Sequence, residues 1–180
     1  MTERVFLIGY RAARKTTVAR LLAERLGWNW CDADHVLEQR FGTTIRQIFA
    51  SEGEAAFRDK EAMVLTELAK RANWVIATGG GVVLHAENRE RLKTGVTIWL
   101  TADPISISQR LQADATTAER RPDLAQGGLA EIEELLHLRV PLYQACVDWC
   151  VDTTKQSPES VAEQIAAWLQ AQRGVDILKS

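Results

Sequence analysis

The sequence predicts an α/β domain, a parallel β-sheet with helices packed on both faces. Short β-rich apolar runs alternate with longer stretches of helical period along the chain. At 180 residues the chain fits one domain, and a domain of this size buries roughly 70% of its unfolded-chain surface without metal or disulfide staples. Apolar residues make up 46% and charged residues 26%, the proportions of an ordinary globular protein.

Taken in order, the expected strands are Val5–Ile8, Trp28–Cys31, Trp74–Thr78, Val96–Leu100 and Val147–Asp152. Between them, Thr16–Leu26, Glu52–Arg71, Ala86–Lys93, Pro104–Leu111 and Leu129–Tyr143 carry apolar residues at helical spacing. A last helix, Pro158–Gln172, opens with Ser157 at the N-cap and Pro158 at the first helical position, and Asp103–Pro104 is a second start of the same kind. Asp34–Phe49 forms a separable helical region, with helix-to-helix turns expected at Gly42–Thr44 and Glu52–Glu54. Gln112–Gly128 breaks the rhythm. Connections this long are usually functional, so it is a lid candidate.

Lys and Arg total 22 against 24 for Asp and Glu, a net charge of −2 that argues against a general nucleic-acid or membrane-surface binder. The apolar run Val5–Tyr10 stops at Arg11, short of a signal-peptide core, and no stretch approaches the roughly 18 apolar residues of a membrane span. A cytoplasmic location is expected. Cys31, Cys146 and Cys150 are too few and too oddly spaced for a disulfide framework, and no His or second Cys pair beside Cys146 and Cys150 suggests zinc. They are expected as buried free thiols. The tryptophans near strands (Trp28, Trp30, Trp74, Trp99) read as packing residues, and His35, His85 and His137 form no cluster.

In an α/β sheet the ligand crevice lies beyond the carboxyl ends of the strands, so the residues after each strand carry the most information. Strand one is followed by Gly9-Tyr10-Arg11-Ala12-Ala13-Arg14-Lys15-Thr16-Thr17. This matches the phosphate-loop pattern G-x-x-x-x-G-K-[ST] at Gly9, Lys15 and Thr16 and fails it at Arg14. Backbone amides at such a turn, with the helix dipole, hold phosphate while the lysine reaches the terminal phosphates and the threonine ligates Mg²⁺. The plainer alternative is a strand-to-helix loop with a basic face.

Strand two is followed by Asp32-Ala33-Asp34, which suits either a helix N-cap or a pair of carboxylates flanking one crevice. In the second case one carboxylate holds Mg²⁺ and the other accepts a proton from a substrate hydroxyl. Gly79-Gly80-Gly81, after strand three, allows close approach of backbone to ligand or a flexible turn. Arg58, Arg120, Arg121 and Arg139 each suit a carboxylate or phosphate through the guanidinium fork, and each taken alone suits a solvated surface equally.

Together these elements resemble the shikimate kinase family: the altered loop Gly9–Thr17, D-A-D at Asp32–Asp34 and E-G-E-A-A-F-R at Glu52–Arg58. They continue with A-T-G-G-G at Ala77–Gly81, R-R-P at Arg120–Pro122 and R-V-P-L-Y at Arg139–Tyr143. The resemblance implies a P-loop kinase fold, a five-stranded parallel sheet in order 2-3-1-4-5 flanked by helices, with a mobile lid near 112–128 and a substrate-binding helical region near 33–61. It implies transfer of the γ-phosphoryl of ATP to the 3-hydroxyl of shikimate with Mg²⁺, in a protein expected as a monomer. On matching positions, Thr16 and Asp32 serve the metal. Lys15, with Arg11, Ala12, Ala13, Arg14 and Thr17, serves the nucleotide. Asp34 polarises the attacking hydroxyl; Arg58, Gly79, Gly80, Gly81 and Arg139 bind the acid; Arg121 neutralises charge on the transferring group.

One departure matters. The family pattern carries glycine at the positions of Ala12 and Arg14. A Cβ at both obstructs the approach of phosphate to the loop amides, and losing two hydrogen bonds to a charged group removes roughly 3–6 kcal/mol. The expectation is weak MgATP binding with an intact acid pocket, Arg14 pointing either to solvent or into the phosphate cavity. Lys155, in the loop Asp152–Ser157, stands where an adenine-stacking arginine is expected. Two other readings stay open: a catalytically silent relative, and another small-metabolite P-loop kinase such as a gluconate kinase.

Overall fold

The computed structural model describes residues 4–113 and 128–177, with side chains as far as Gln172. Five strands, β1 (Arg4–Ile8), β2 (Asn29–Asp32), β3 (Trp74–Ala77), β4 (Val96–Thr101) and β5 (Trp149–Asp152), form one sheet in the order β2-β3-β1-β4-β5. All four pairings are parallel, with Val5 opposite Val75 on one side and Val96 on the other. The helices are α1 (Lys15–Leu26), α2 (Ala33–Phe41), α3 (Ile45–Leu68), α4 (Ala86–Leu92), α5 (Pro104–Ala113), α6 (Gly128–Gln144) and α7 (Pro158–Ile177). A short 3-10 turn, Val82–Leu84, precedes α4.

β1 is central and buried along its length, and its alternating side chains feed two separate cores. Val5 and Leu7 join Val18 and Leu22 of α1 and Val161 and Ile165 of α7 on one face. Phe6 and Ile8 join Leu37 of α2, Ile48, Phe57 and Leu65 of α3 and Tyr143 of α6 on the other. Because every strand runs the same way, all five carboxyl ends open on one edge. That edge holds the site.

The helix boundaries follow local chemistry. Ser157 caps α7 by accepting from the Ser160 amide at 3.2 Å, and Asp103 accepts from the Ser106 amide at 2.9 Å ahead of α5. Gly42 ends α2 in the left-handed conformation, and Thr44 opens α3 with a capping box to Gln47. The second expected turn is present as a kink: Gly53 (φ 83°, ψ 177°) separates two helical runs within α3, the second continuing to Leu68. β2 starts at Asn29 rather than Trp28, because the Trp28 amide closes the end of α1 by donating to the Ala23 carbonyl at 2.9 Å.

The three cysteines are free, but only Cys146 is buried; Cys31 is half-buried and Cys150 exposed, since β2 and β5 are the edge strands. Among the described residues no helix is long and apolar enough to cross a membrane, and no group of His, Cys, Asp or Glu side chains forms a metal cluster of three or more. Most of the expected lid, including Arg120 and Arg121, lies outside the described residues. Thr44→Ala removes the capping box and is expected to destabilise the fold by about 1 kcal/mol, read from urea unfolding with an unchanged m-value.

Candidate active site

β1 delivers the chain into a tight loop over Gly9–Arg14, and α1 begins at Lys15. The Lys15 ammonium, nearly buried, donates to the carbonyls of Gly9 and Tyr10 at 2.8 Å each. Gly9 has φ 141°, and a Cβ there would collide with the Leu100 carbonyl of β4, so this position requires glycine. The loop then makes two further left-handed turns without glycine: Ala12 at φ 58° and Arg14 at φ 66°. For L-residues this conformation costs roughly 1–2 kcal/mol each. The loop therefore has the path that the missing glycines favour, built from residues that resist it.

Arg14 does not enter the cavity beside Lys15. Its side chain is exposed and donates through Nη1 to the Gln156 carbonyl at 3.3 Å, in the loop after β5. Next to it, Arg110 of α5 donates to the carbonyls of Ala12 (3.2 Å) and Thr153 (2.6 Å), and so ties the phosphate loop to the β5 loop. Burial, and then the charge of Arg14, pull the Arg110 pKa below the usual arginine value. Arg110 carried no sequence signal, since it occupies the last turn of an ordinary helix. Of the other loop residues, Arg11 and Ala13 are buried and Thr17 is exposed.

Asp32 is the helix N-cap that the sequence allowed, and it keeps one carboxylate oxygen for a second partner. Its Oδ1 caps α2, accepting from the amides of Asp34 (3.0 Å) and His35 (3.3 Å), while its Oδ2 accepts from the Thr16 hydroxyl at 2.5 Å. Thr16 and Asp32 thus form a hard-oxygen pair at the carboxyl end of β2. Mg²⁺ is commonly held by one or two such protein oxygens plus substrate phosphates, so this donor set fits Mg²⁺ without a larger protein cluster. Asp34, half-buried, follows in the first turn of α2.

The Gly79–Gly81 segment after β3 is where the remaining cations meet. Arg58 is 6% exposed and lies against Gly81, where an added Cβ would come within 2.5 Å of its Nη1. Its Nη1 donates to Glu61 Oε2 at 2.9 Å and its Nη2 to Glu54 Oε1 at 3.1 Å. Burial works against the charge, but the two carboxylates more than offset it and raise the pKa above the ordinary arginine value. A surface role for Arg58 is excluded. The half-buried Arg139 of α6 donates to the Gly80 carbonyl at 3.4 Å, which also accepts from the Tyr143 hydroxyl at 2.7 Å. The Tyr143 ring stacks on Trp99 at 5.2 Å, and burial pushes its phenol well above the usual range although Arg139 opposes the shift. Gly80 itself packs against the Arg11 amide, so the phosphate loop and the glycine segment are in contact.

A sheet in this order, with a lysine-bearing turn after β1 and a threonine–aspartate pair beside it, defines a phosphate-loop kinase of the small-metabolite class. The shikimate kinase family profile matches residues 11–170. A shikimate kinase of Rhodopirellula baltica is 39% identical over 91% of this chain and 88% of its own, and one of Burkholderia lata is 40% identical over 92% and 89%. The solved shikimate kinase of Acinetobacter baumannii, in complex with shikimate, superposes with a TM-score of 0.88 at 35% identity, covering 96% of this chain and 95% of that one. The chain belongs to the shikimate kinase family. A gluconokinase from Sinorhizobium meliloti shares the fold alone, with a TM-score of 0.61 at 11% identity.

Replacing both left-handed residues with glycine (A12G/R14G) is expected to relieve strain, net of glycine's greater unfolded-state entropy, and to stabilise the protein by about 1–2 kcal/mol. At roughly 2–4 °C per kcal/mol for a chain of this size, the melting temperature should rise by several degrees. A lower melting temperature would contradict the strain.

Proposed function

We propose that this protein phosphorylates the 3-hydroxyl of shikimate with ATP and Mg²⁺, a step of aromatic amino-acid biosynthesis. The observation that carries the reading is the convergence of Arg58 and Arg139 on Gly81 and Gly80, beside the loop that holds Lys15. Two guanidiniums at one end of a hollow recognise a carboxylate; an ammonium in a tight backbone turn at the other recognises phosphate.

In this reading the triphosphate takes over Lys15 from the carbonyls of Gly9 and Tyr10, and the amides of Arg11–Thr17 surround it. Mg²⁺, held by Thr16 and Asp32 together with phosphate oxygens, supplies charge neutralisation. Arg58 and Arg139, with the Gly79–Gly81 backbone, fix the acid by its carboxylate end. Asp34 orients the 3-hydroxyl and accepts its proton as the O–H bond breaks. The new O–P bond forms while the bond from γ-phosphorus to the bridging oxygen breaks, and ADP leaves with that electron pair. Arg121 is assigned to the developing charge on the transferring group. Nothing covalent is asked of the protein, which fits a reaction governed by positioning and electrostatics. We further take the working unit to be a monomer in the cytoplasm, and light scattering tests the monomer through the mass in solution.

Ala12 and Arg14 enter the reading as a handicap on nucleotide binding. The loop already holds left-handed angles at both residues, so the handicap lies in their Cβ atoms, which obstruct the approach of phosphate to the loop amides. The A12G/R14G variant is expected to bind MgATP up to about tenfold more tightly, on the scale of 1.4 kcal/mol per decade. Unchanged affinity would show that the two Cβ atoms do not obstruct phosphate.

The activity is tested by ADP release in the presence of Mg²⁺ across a panel of hydroxy acids. Turnover with shikimate and none with gluconate supports the proposal, and the reverse overturns it. Shikimate binding without ADP release favours the silent relative. Asp34→Asn is expected to lower kcat by about 10²–10⁴-fold with little change in shikimate affinity. An Asp34→Asn enzyme with near-normal kcat would remove Asp34 from proton transfer.

A further inference from the structure

Tyr10 lies in the phosphate loop but is not part of the phosphate-binding pattern. Its side chain is 2% exposed and packs with Ile107 of α5 and Ile132 of α6. The Arg139 guanidinium carbon lies over its ring, 5.6 Å from the centroid, and that of Arg11 lies at the same distance. Both are within the range of a cation–π attraction. Its backbone carbonyl is one of the two that hold Lys15, and Gly80, whose carbonyl accepts from Arg139, packs against its backbone. The Tyr10 hydroxyl is buried and has no hydrogen-bond partner among the described residues.

We infer that Tyr10 is a positioning residue for Arg139. The face of its ring fixes the guanidinium in the orientation needed to grip the acid's carboxylate. Among the described residues Arg139 donates a long hydrogen bond to Gly80 at 3.4 Å and meets the Tyr143 hydroxyl on one side; the Tyr10 ring constrains it on another. A long side chain held by one such bond loses rotamer freedom on binding substrate, whereas a stacked one has already lost it. The unpartnered hydroxyl indicates that the aromatic face, not the phenol oxygen, does this work. The inference rests on the carboxylate-binding role proposed for Arg139.

Calorimetric titration with shikimate, and separately with ADP, tests it whether or not the protein turns over. Tyr10→Phe is expected to bind shikimate as the unmodified protein does. Tyr10→Leu, apolar but smaller and without a π face, is expected to weaken shikimate binding by roughly 3–10-fold while leaving ADP affinity within about twofold. In an Arg139→Met background, Tyr10→Leu should add nothing further, because residues acting through one contact are non-additive. Purely structural damage would instead lower both affinities and persist in that background. Unchanged shikimate affinity in Tyr10→Leu, equal losses in the Phe and Leu variants, or additivity with Arg139→Met would each overturn the inference. If Tyr10→Leu fails to fold, Tyr10→Met carries the same comparison. Should Arg139→Met itself leave shikimate affinity unchanged, the carboxylate assignment falls and this inference with it. A loss in Arg139→Met with none in Tyr10→Leu overturns the inference alone.

Discussion

The site depends on how closely other groups approach the bare backbone at the end of β3. Gly81 lets the Arg58 guanidinium lie where a methyl group would stand, and Gly80 packs on the Arg11 amide while its carbonyl gathers Tyr143 and Arg139. Three segments far apart in sequence (the phosphate loop, α3 and α6) are thereby fixed against one short stretch of chain. A Cβ at Gly81 would have to displace the Arg58 guanidinium, and one at Gly80 would press on the Arg11 amide nitrogen at 3.3 Å. The parallel sheet makes this possible, because the register of β1 with β3 brings the Gly9 and Thr78 exits to the same edge.

Charge is handled differently at Arg58 and at Lys15. Arg58 is buried with two carboxylates that keep it charged and fix its orientation. Lys15 is held by neutral carbonyls that a polyanion can displace. Between them Asp32 has two tasks, since one oxygen closes the helix end and the other meets Thr16. The strained turns at Ala12 and Arg14 lie at the nucleotide end alone. Arg110, by holding the Ala12 carbonyl, is a natural anchor for that strained path.

Much of this was legible in the sequence, for identifiable reasons. The β1 run and its neighbours gave strands because alternate side chains feed two cores, and Ser157 and Asp103 marked helix starts through caps that the structure contains. The motif order along the chain pointed to the family and to the strand order. Arg58 could have been read as paired, because Glu54 and Glu61 stand four residues before and three after it on one helical face. What stayed hidden depends on tertiary contact. Nothing local marks Arg110 as a clamp between two loops or Tyr10 as a platform for a guanidinium on α6. The exposure of Cys150 follows from the edge position of β5, which becomes visible only once the strand order is known.

The central claim is that one hollow holds an acid and a triphosphate side by side. A crystal structure of the protein with shikimate and a non-hydrolysable ATP analogue tests it directly. The expected complex has the acid's carboxylate between Arg58 and Arg139 and the terminal phosphates at Lys15, with the 3-hydroxyl between Asp34 and the γ-phosphorus. A shikimate carboxylate bound away from both arginines, or a triphosphate seated anywhere but the Gly9–Thr17 loop, would contradict it.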